Sequence, residues 1–194
     1  MKKILFILAV FVAFTGFTTI NDTWTNDHPH SQLGFTVTHL GIADVSGTFN
    51  DFNVTVKSAT PDFSDASFVL SAKAASIDTR VEARNNHLKS ADFFDVTKYP
   101  TIDFKSTGIK KAGKNKYRLT GDLTIHGVSG TVTMDLLYKG TVENPMSKKQ
   151  TAGFQISGSI NRSDFNVGPG FPAAVISDEV RIKADGEFLL NETK

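Results

Sequence analysis

Residues 117–138 read YRLTGDLTIHGVSGTVTMDLLY, and this stretch decides the fold. Apolar and polar residues alternate from Tyr117 to His126, and the alternation resumes from Val132 to Tyr138. A β-strand sends successive side chains to opposite faces, so each half has one apolar face and one hydrated face. Gly127 to Gly130 predicts the turn, because glycine tolerates positive φ. The stretch therefore predicts an antiparallel hairpin that needs further strands to cover its apolar face.

The same alternation recurs on both sides of this hairpin. It is found over residues 31–40, 45–56, 102–106, 152–160 and 180–188, with a less regular extended stretch at 68–77. The pair Asn50-Asp51 shifts the parity, which indicates a bend inside one long strand. About eight evenly spaced strands predict an all-β protein. The spacing favours an eight-stranded antiparallel up-and-down barrel, although a two-sheet sandwich has the same periodicity.

Two segments depart from the strand pattern. Residues 24–30 are a predominantly polar lead-in before the first predicted strand. In residues 80–90, Val81, Arg84 and Leu88 recur at helical spacing, so a short helical insertion is predicted with Asp78 or Thr79 as its N-cap. Residues 90–94 are a candidate for a second short helical turn.

The N-terminus has the pattern of a secretory signal peptide. Lys2 and Lys3 precede an apolar run from Ile4 to Phe17, which is too short for a spanning helix. We therefore predict a signal peptide over residues 1–20, one domain over residues 21–194, and a periplasmic or secreted bacterial protein. The absence of cysteine excludes a lipid-anchored cysteine and a disulfide framework. No later apolar run approaches membrane-spanning length.

Composition argues against several classes of function. The chain has 21 basic and 20 acidic residues, which excludes charge-driven binding to nucleic acid. It lacks a cysteine nucleophile, a Gly-x-Ser-x-Gly elbow, a phosphate-binding loop and a His-Glu-x-x-His motif. We therefore predict a protein that is not an enzyme and uses no cofactor. A lipid-modifying enzyme whose site is assembled from distant positions remains an alternative.

The apolar strand faces are the main candidate for a binding site. Such a face could line a ligand cavity, or it could fill a solid core, which is the commoner arrangement. With a solid core the protein would be an all-β interaction module that uses its loops. The candidate lining residues are Phe35, Val37, Phe104, Leu123, Ile125, Met134, Leu136, Phe154, Ile156, Val180 and Ile182.

Motifs spread over nearly the whole chain resemble the YceI family of lipocalin-like proteins, which are associated with binding of polyisoprenoids and lipids. The resemblance rests on residues 30–31, 35–41, 45–49, 84, 87–90, 92–95, 99–100, 104–107, 121–128 and 161–165. It implies a lipocalin-like barrel with an elongated apolar cavity that holds a long-chain isoprenoid or lipid ligand. Two positions depart from the family pattern: Asn85 stands where Asp is usual, and Asn166 where Gly is usual. A homodimer is also compatible with the sequence.

Three polar residues are candidates for contact with a ligand head group. His39 shares the parity of the apolar face of its strand; it could bind a head group or be a structural histidine. Arg84 and His87 lie three residues apart on the predicted helix and could meet a polar or anionic head group. They could equally form a clamp that ties the helix to the end of a strand.

Metal binding and a loop brace are the remaining possibilities. His28 and His30 lie near Asp27, but no further ligand follows at a recognisable spacing, so no metal site is predicted. Arg162 and Asp164 suggest a local ion pair or a brace within a loop.

Overall fold

The strands form one sheet that closes on itself. The computed structural model describes residues 21–191, so the predicted signal peptide over residues 1–20 lies outside the described residues. The elements are β1 Asp22–His39, β2 Ala43–Phe49, β3 Phe52–Ser58, β4 Ser67–Lys73, β5 Ile77–Asp78, α1 Glu82–Lys89, β6 Thr101–Gly113, β7 Lys116–Ile125, β8 Val128–Glu143, β9 Gln150–Asn161 and β10 Glu179–Leu190. Short 3₁₀ helices span Ala74–Ser76 and Arg162–Phe165.

Eight long antiparallel strands make up the barrel, which confirms the predicted fold class. β2 and β3 both pair with β1 and act as one strand bent at residues 50–51, as the parity shift predicts. β4 and β5 continue this arrangement, since β4 pairs with β3 and β5 with β2. The remaining strands pair in sequence order, and β10 returns to β1 to close the barrel.

The central hairpin differs from the prediction in the position of its turn. The turn is His126-Gly127, with φ values of 52° and 74°, and β8 begins at Val128. Two-residue turns with positive φ match the twist of the flanking strands, which explains why the loop is so short. The prediction that Gly127 to Gly130 forms the turn is therefore wrong by three residues at its C-terminal end and by one at its N-terminal end.

The segment predicted as a polar lead-in is the first half of β1. Trp24 is 6% exposed and pairs with Val56 of β3 and Leu190 of β10. A register shift between Asn26 and Ser31 then produces a bulge, which accommodates the polar residues between them. The prediction that this segment precedes the first strand is therefore wrong. A strand that buries only one face needs apolar or hydrogen-bonded side chains at alternate positions only, so a mostly polar segment can still form one.

The lower end of the barrel, which carries the β3–β4, β6–β7 and β8–β9 connections, is solidly packed. Phe63 of the β3–β4 connection folds inward at 2% exposure, with its ring centroid 4.9 Å from those of Tyr138 and Phe154 and 5.5 Å from that of Trp24. The hydroxyl of Tyr117 donates to the backbone carbonyl of Asp62 and holds this connection in place. We call Trp24, Phe63, Tyr138 and Phe154 the floor.

The upper end carries the helical insertion and a long loop. Helix α1 confirms the predicted insertion, but its N-cap is Val81, which makes no side-chain cap bond. The prediction of Asp78 or Thr79 as N-cap is wrong: the Asp78 carboxylate accepts from the backbone N–H of Arg80, and the Thr79 hydroxyl donates to the side chain of Asn85. Residues 90–94 form turns rather than a helix. Residues 166–178, the rim loop, connect the second 3₁₀ helix to β10.

Candidate ligand-binding site

An apolar cavity of about 440 Å³ lies above the floor, inside the upper half of the barrel. Every predicted lining residue except Leu136 faces it. Leu136 is 1% exposed and belongs to the packed cluster around the floor, although its neighbour across the sheet, Ile156, reaches the cavity. The barrel is thus hollow in its upper half and solid in its lower half. The apolar strand faces line a cavity in the upper half and form a packed core in the lower half.

Part of the cavity wall was not predicted. Further apolar residues come from β2, β4, α1, the segment after α1, the second 3₁₀ helix and the rim loop; they include Phe49, Leu70, Leu88, Phe93, Phe94, Phe165, Phe171 and Ile176. Phe93 and Phe94 lie in one of the motifs, so a signal for them existed. Phe171 and Ile176 lie in a Gly- and Pro-containing loop without periodicity, which carries no signal of an inward side chain.

An aromatic cluster stands where α1 meets the rim loop. The rings of Phe93 and Phe171 stack at 4.7 Å, and the ring of His87 meets their edges at 5.1 and 5.6 Å. His87 Nε2 lies 3.1 Å from an Asp92 carboxylate oxygen. His87 therefore serves as part of the wall and is already paired at its polar side.

His39 lies at the upper end of β1 and lines the cavity from an exposed position. Its backbone bridges to Ile176 of the rim loop. Two further bonds hold the rim loop to β1, since Leu40 N donates to Val175 O and Ser177 N donates to Thr38 O, both at 2.9 Å. The parity prediction for His39 thus gives the correct face, at the edge of the cavity where the barrel meets solvent.

Arg84 is held by a network of hydrogen bonds at the end of β5. Its Nε donates to the hydroxyl of Thr79 at 2.8 Å, and its Nη2 donates to the Thr79 carbonyl at 2.7 Å. The Thr79 hydroxyl donates to Asn85 Oδ1 at 2.6 Å, and Asn85 Nδ2 donates to Asp78 at 3.0 Å. Because Thr79 is 2% exposed, these bonds satisfy polar groups that have no access to water. Arg84 is therefore a clamp between helix and strand end, and it also faces the cavity.

Arg162 braces the rim loop through its whole guanidinium. Its Nε donates to the carbonyl of Ser177, and its two Nη groups donate to the carbonyls of Val167, Gly168, Phe171 and Ile176. A guanidinium has five N–H donors, so all of them are used. This confirms the loop brace; among the described residues, no ion pair joins Arg162 to Asp164. Asn166, the C-cap residue of the 3₁₀ helix that begins at Arg162, has φ of 54°, a region in which asparagine replaces glycine at small cost.

The bulge in β1 brings the side chains of Asp27 and His30 close to that of Glu187. The sequence indicated the first two as neighbours but not the third. His30 Nδ1 lies 2.7 Å from Asp27 Oδ2, and ligand atoms of Asp27, His30 and Glu187 lie within 4.8 Å of one another. The hydrogen bond to Asp27 and its negative charge raise the pKa of His30 above its usual value. His28 instead lies against Asn53 and the ring of Phe52.

Comparisons with known proteins agree with this architecture. The model of the YceI-like domain matches residues 24–188. The chain belongs to the YceI family. A UPF0312 protein of Staphylococcus aureus strain USA300 is 34% identical over 173 residues, which is 87% of this chain and 98% of the relative. The predicted resemblance is thus confirmed.

Three solved structures are also similar to this chain. Burkholderia cenocepacia BcnA is 30% identical with a TM-score of 0.73, covering 84% of this chain and 98% of its own. The Campylobacter jejuni YceI protein is 31% identical with a TM-score of 0.73, covering 80% and 90%. A polyisoprenoid binding domain from Saccharophagus degradans shares the fold at 15% identity and a TM-score of 0.64, covering 87% and 98%. The chain thus shares the fold of these three solved proteins.

No helix within residues 21–191 has the length and apolar character needed to cross a membrane.

Proposed function

We propose that this protein holds one long apolar chain, of polyisoprenoid or fatty-acyl type, in the barrel cavity for transport, storage or sequestration, without chemical conversion. The observation that supports this most directly is a cavity whose wall is almost entirely aliphatic and aromatic and whose lower end is closed by packed rings. Burial of a hydrocarbon chain in such a wall needs no hydrogen bonds along its length. The Saccharophagus domain, described as binding polyisoprenoids, supports the ligand class.

The volume of the cavity limits the length of chain that it can enclose. At about 30 Å³ for each water-sized group, a cavity of about 440 Å³ holds roughly fifteen methylene groups. Each methylene removed from water contributes ~0.8 kcal/mol. The sum of about 12 kcal/mol exceeds the lower part of the ~4–15 kcal/mol cost of association. With the lowest of these costs, ~4 kcal/mol, about 8 kcal/mol remains, which corresponds to a dissociation constant of about 1 µM for a chain that fills the cavity. Longer chains should project from the upper end.

The location and assembly of the protein complete the proposal. The signal-like N-terminus supports a periplasmic or secreted site of action. Cleavage within residues 20–25 would leave β1, which begins at Asp22, at or near the new N-terminus. N-terminal sequencing of the exported protein tests this location, and light scattering of the purified protein tests whether it forms the homodimer that the sequence allows.

Native mass spectrometry tests the proposed binding. The full-length protein is expressed in bacteria, purified without detergent and measured before and after solvent extraction. We expect an added mass that the extract identifies as a single long-chain molecule per barrel. Protein that carries no such molecule, and takes up neither added fatty acid nor added prenyl alcohol, would overturn the proposal.

A pair of variants on β10 separates the cavity from the outer surface. Ala184 is a small residue that faces the cavity, whereas its neighbour Lys183 is exposed on the outer face. Ala184→Phe should fill part of the cavity and reduce chain binding at least tenfold with the fold intact. Lys183→Phe introduces the same ring on the other side of the sheet and should leave binding within twofold of the original. Equal binding by both variants would contradict a ligand inside the barrel.

A further inference from the structure

Very few charged side chains line the cavity, and more of them are positive than negative. Among the described lining residues the charged side chains are Arg84, Arg162 and Asp185. Asp185 receives the ammonium of Lys139 at 2.7 and 2.8 Å and the amide of Gln155 at 3.0 Å. The carboxylate is therefore neutralised at the outer side of the wall, and the two guanidinium groups determine the charge that a ligand meets.

Arg162 supplies positive charge but no free donor. It is 8% exposed, and all of its N–H groups are bonded to backbone carbonyls. The carboxylate of Asp178, in the rim loop, accepts from the hydroxyl and N–H of Ser163 at 2.7 and 3.0 Å rather than from Arg162. A buried cation without a directly bonded carboxylate creates a positive potential that reaches several ångströms through an apolar medium.

Arg84 supplies both charge and donors. Its Nε and one Nη2 hydrogen are used on Thr79, which fixes the guanidinium and leaves Nη1 without a hydrogen-bond partner among residues 21–191. Within the same residues, no carboxylate lies at ion-pair distance from it. The other titratable side chains that line the cavity, apart from Arg162, are His39, His87 and Asp185, and Asp185 is already paired with Lys139.

Asn85 keeps Arg84 in this state. Its amide oxygen accepts from Thr79, the group that also binds Arg84, and its amide nitrogen donates to Asp78. The network thus positions the guanidinium with a neutral side chain. A carboxylate at position 85 would place a negative charge two hydrogen bonds from Nε and would face Asp78 without a donor between them.

From this arrangement we propose that the cavity selects amphiphiles with an anionic head group, a carboxylate or a phosphate, which binds at Arg84 while the chain runs down toward the floor. This inference rests on the proposed chain binding and adds the sign of the head group to it. A charge-assisted bond to a fixed guanidinium in an apolar site is strong, and an uncharged alcohol of equal length cannot form it. Arg84 is accordingly the residue that determines head-group specificity.

Calorimetric titration with chains of equal length tests the selection. The probes are tetradecanoate, tetradecyl phosphate and tetradecan-1-ol, with delipidated full-length protein at about pH 7.5, where an ordinary carboxyl group is ionised. We expect both anions to bind at least tenfold more tightly than the alcohol, and the ratio between the anions identifies the preferred head group. Alcohol binding as tight as that of both anions would overturn the inference and leave the proposed chain binding in place. Failure of all three probes to bind would remove both.

Variants locate the charge effect. Arg84→Gln should reduce the anion-to-alcohol ratio to near one while alcohol affinity stays within twofold, which a general loss of fold would not do. Asn85→Asp should lower the ratio in the same direction. Arg80→Gln removes a more exposed charge from the same segment, outside the cavity wall, and should leave the ratio unchanged. A ratio that survives Arg84→Gln would contradict the assignment.

Discussion

The ring of Phe104 lies directly over the backbone of Gly121 on the facing strand. A Cβ atom at position 121 would be 2.5 Å from the ring's Cζ and 2.5 Å from the carbonyl oxygen of Lys105. Gly121 falls in the apolar phase of β7, where a side chain would otherwise point inward. The ring of Phe104 takes that space and forms part of the cavity wall.

Gly121→Ala should therefore destabilise the barrel. The added methyl group meets a backbone oxygen, which cannot rotate away, so we expect a loss of about 1–3 kcal/mol from strain in the wall. Gly108→Ala on β6 is the matched control, since no heavy atom other than those of its chain neighbours lies within 4 Å of its Cβ position. Urea unfolding of both variants measures the difference in stability. Similar unfolding midpoints would contradict the prediction, because they would mean that the cavity wall shifts to accept the methyl group without strain.

Loss of the floor should deepen the cavity. Phe63→Ala removes a ring that contacts three other aromatic rings, and we expect a destabilisation of about 3–5 kcal/mol. If the variant remains folded, the longest chain that binds tightly should gain several carbons. Val142→Ala, at an exposed position on β8, serves as the control and should change neither property. Calorimetry with a series of fatty acids of increasing length provides the measurement.

Arg162 should be irreplaceable by lysine. An ammonium group has three donors and cannot reach five carbonyls, so Arg162→Lys leaves buried acceptors unpaired and should cost about 2–4 kcal/mol. The control is Arg181→Lys, which affects an exposed pair with Asp44 and should cost under about 1 kcal/mol. Hydrogen exchange should show reduced protection throughout the rim loop in the first variant alone. Unchanged exchange in the rim loop would mean that its other contacts suffice.

The connection that carries Phe63 should make stability depend on pH. Burial alone raises the pKa of Asp65, but hydrogen bonds from Ser58, Thr60 and Ala59 outweigh it and lower the pKa to about 2. A folded-state pKa below the unfolded value of ~3.9 stabilises the protein above that value. This stabilisation is lost as the pH falls from about 4 toward 2.

Asp65→Asn should remove that dependence. Because Asp65 is exposed, we expect the variant to lose about 1 kcal/mol near neutral pH, after allowance for solvent screening. The difference from the original protein should shrink between about pH 4 and pH 2. Asp51→Asn, which breaks an exposed pair with Lys73, is the control. Chemical unfolding at several pH values tests this, and a difference that persists at the lowest pH would contradict it.

Residue parity predicted the faces of the barrel well. Val180 and Ile182 on β10 and Leu123 on β7 face the cavity as their alternation requires, and α1 lies within the segment that breaks the strand pattern. Parity is local, so it determines which face a side chain takes but not how far along the barrel the hollow extends. Leu136 illustrates this, because it faces inward but lies among the packed residues around the floor.

Features built by loops could not be predicted in the same way. Phe63 has a φ of 58° and closes the barrel from a connection with no periodic pattern. The five bonds of Arg162 depend on backbone carbonyls, which every sequence offers equally. The hydrogen bond from Arg84 to Thr79 depends on the bend after β5, which brings the two side chains together and which no sequence pattern indicates. Such contacts depend on the conformation of the loops, which the periodicity of the sequence does not indicate.

The pairing of β1 with β10 has a consequence for the order in which the protein folds. Trp24 lies opposite Leu190, so the seam joins residues that are almost the full length of the domain apart in sequence. Contacts of such separation form late and slowly, since their loop-closure entropy must be overcome first. A nascent chain that lacks β10 would therefore leave the apolar interior open along one whole side, so the closed cavity exists only after the last strand has paired with the first.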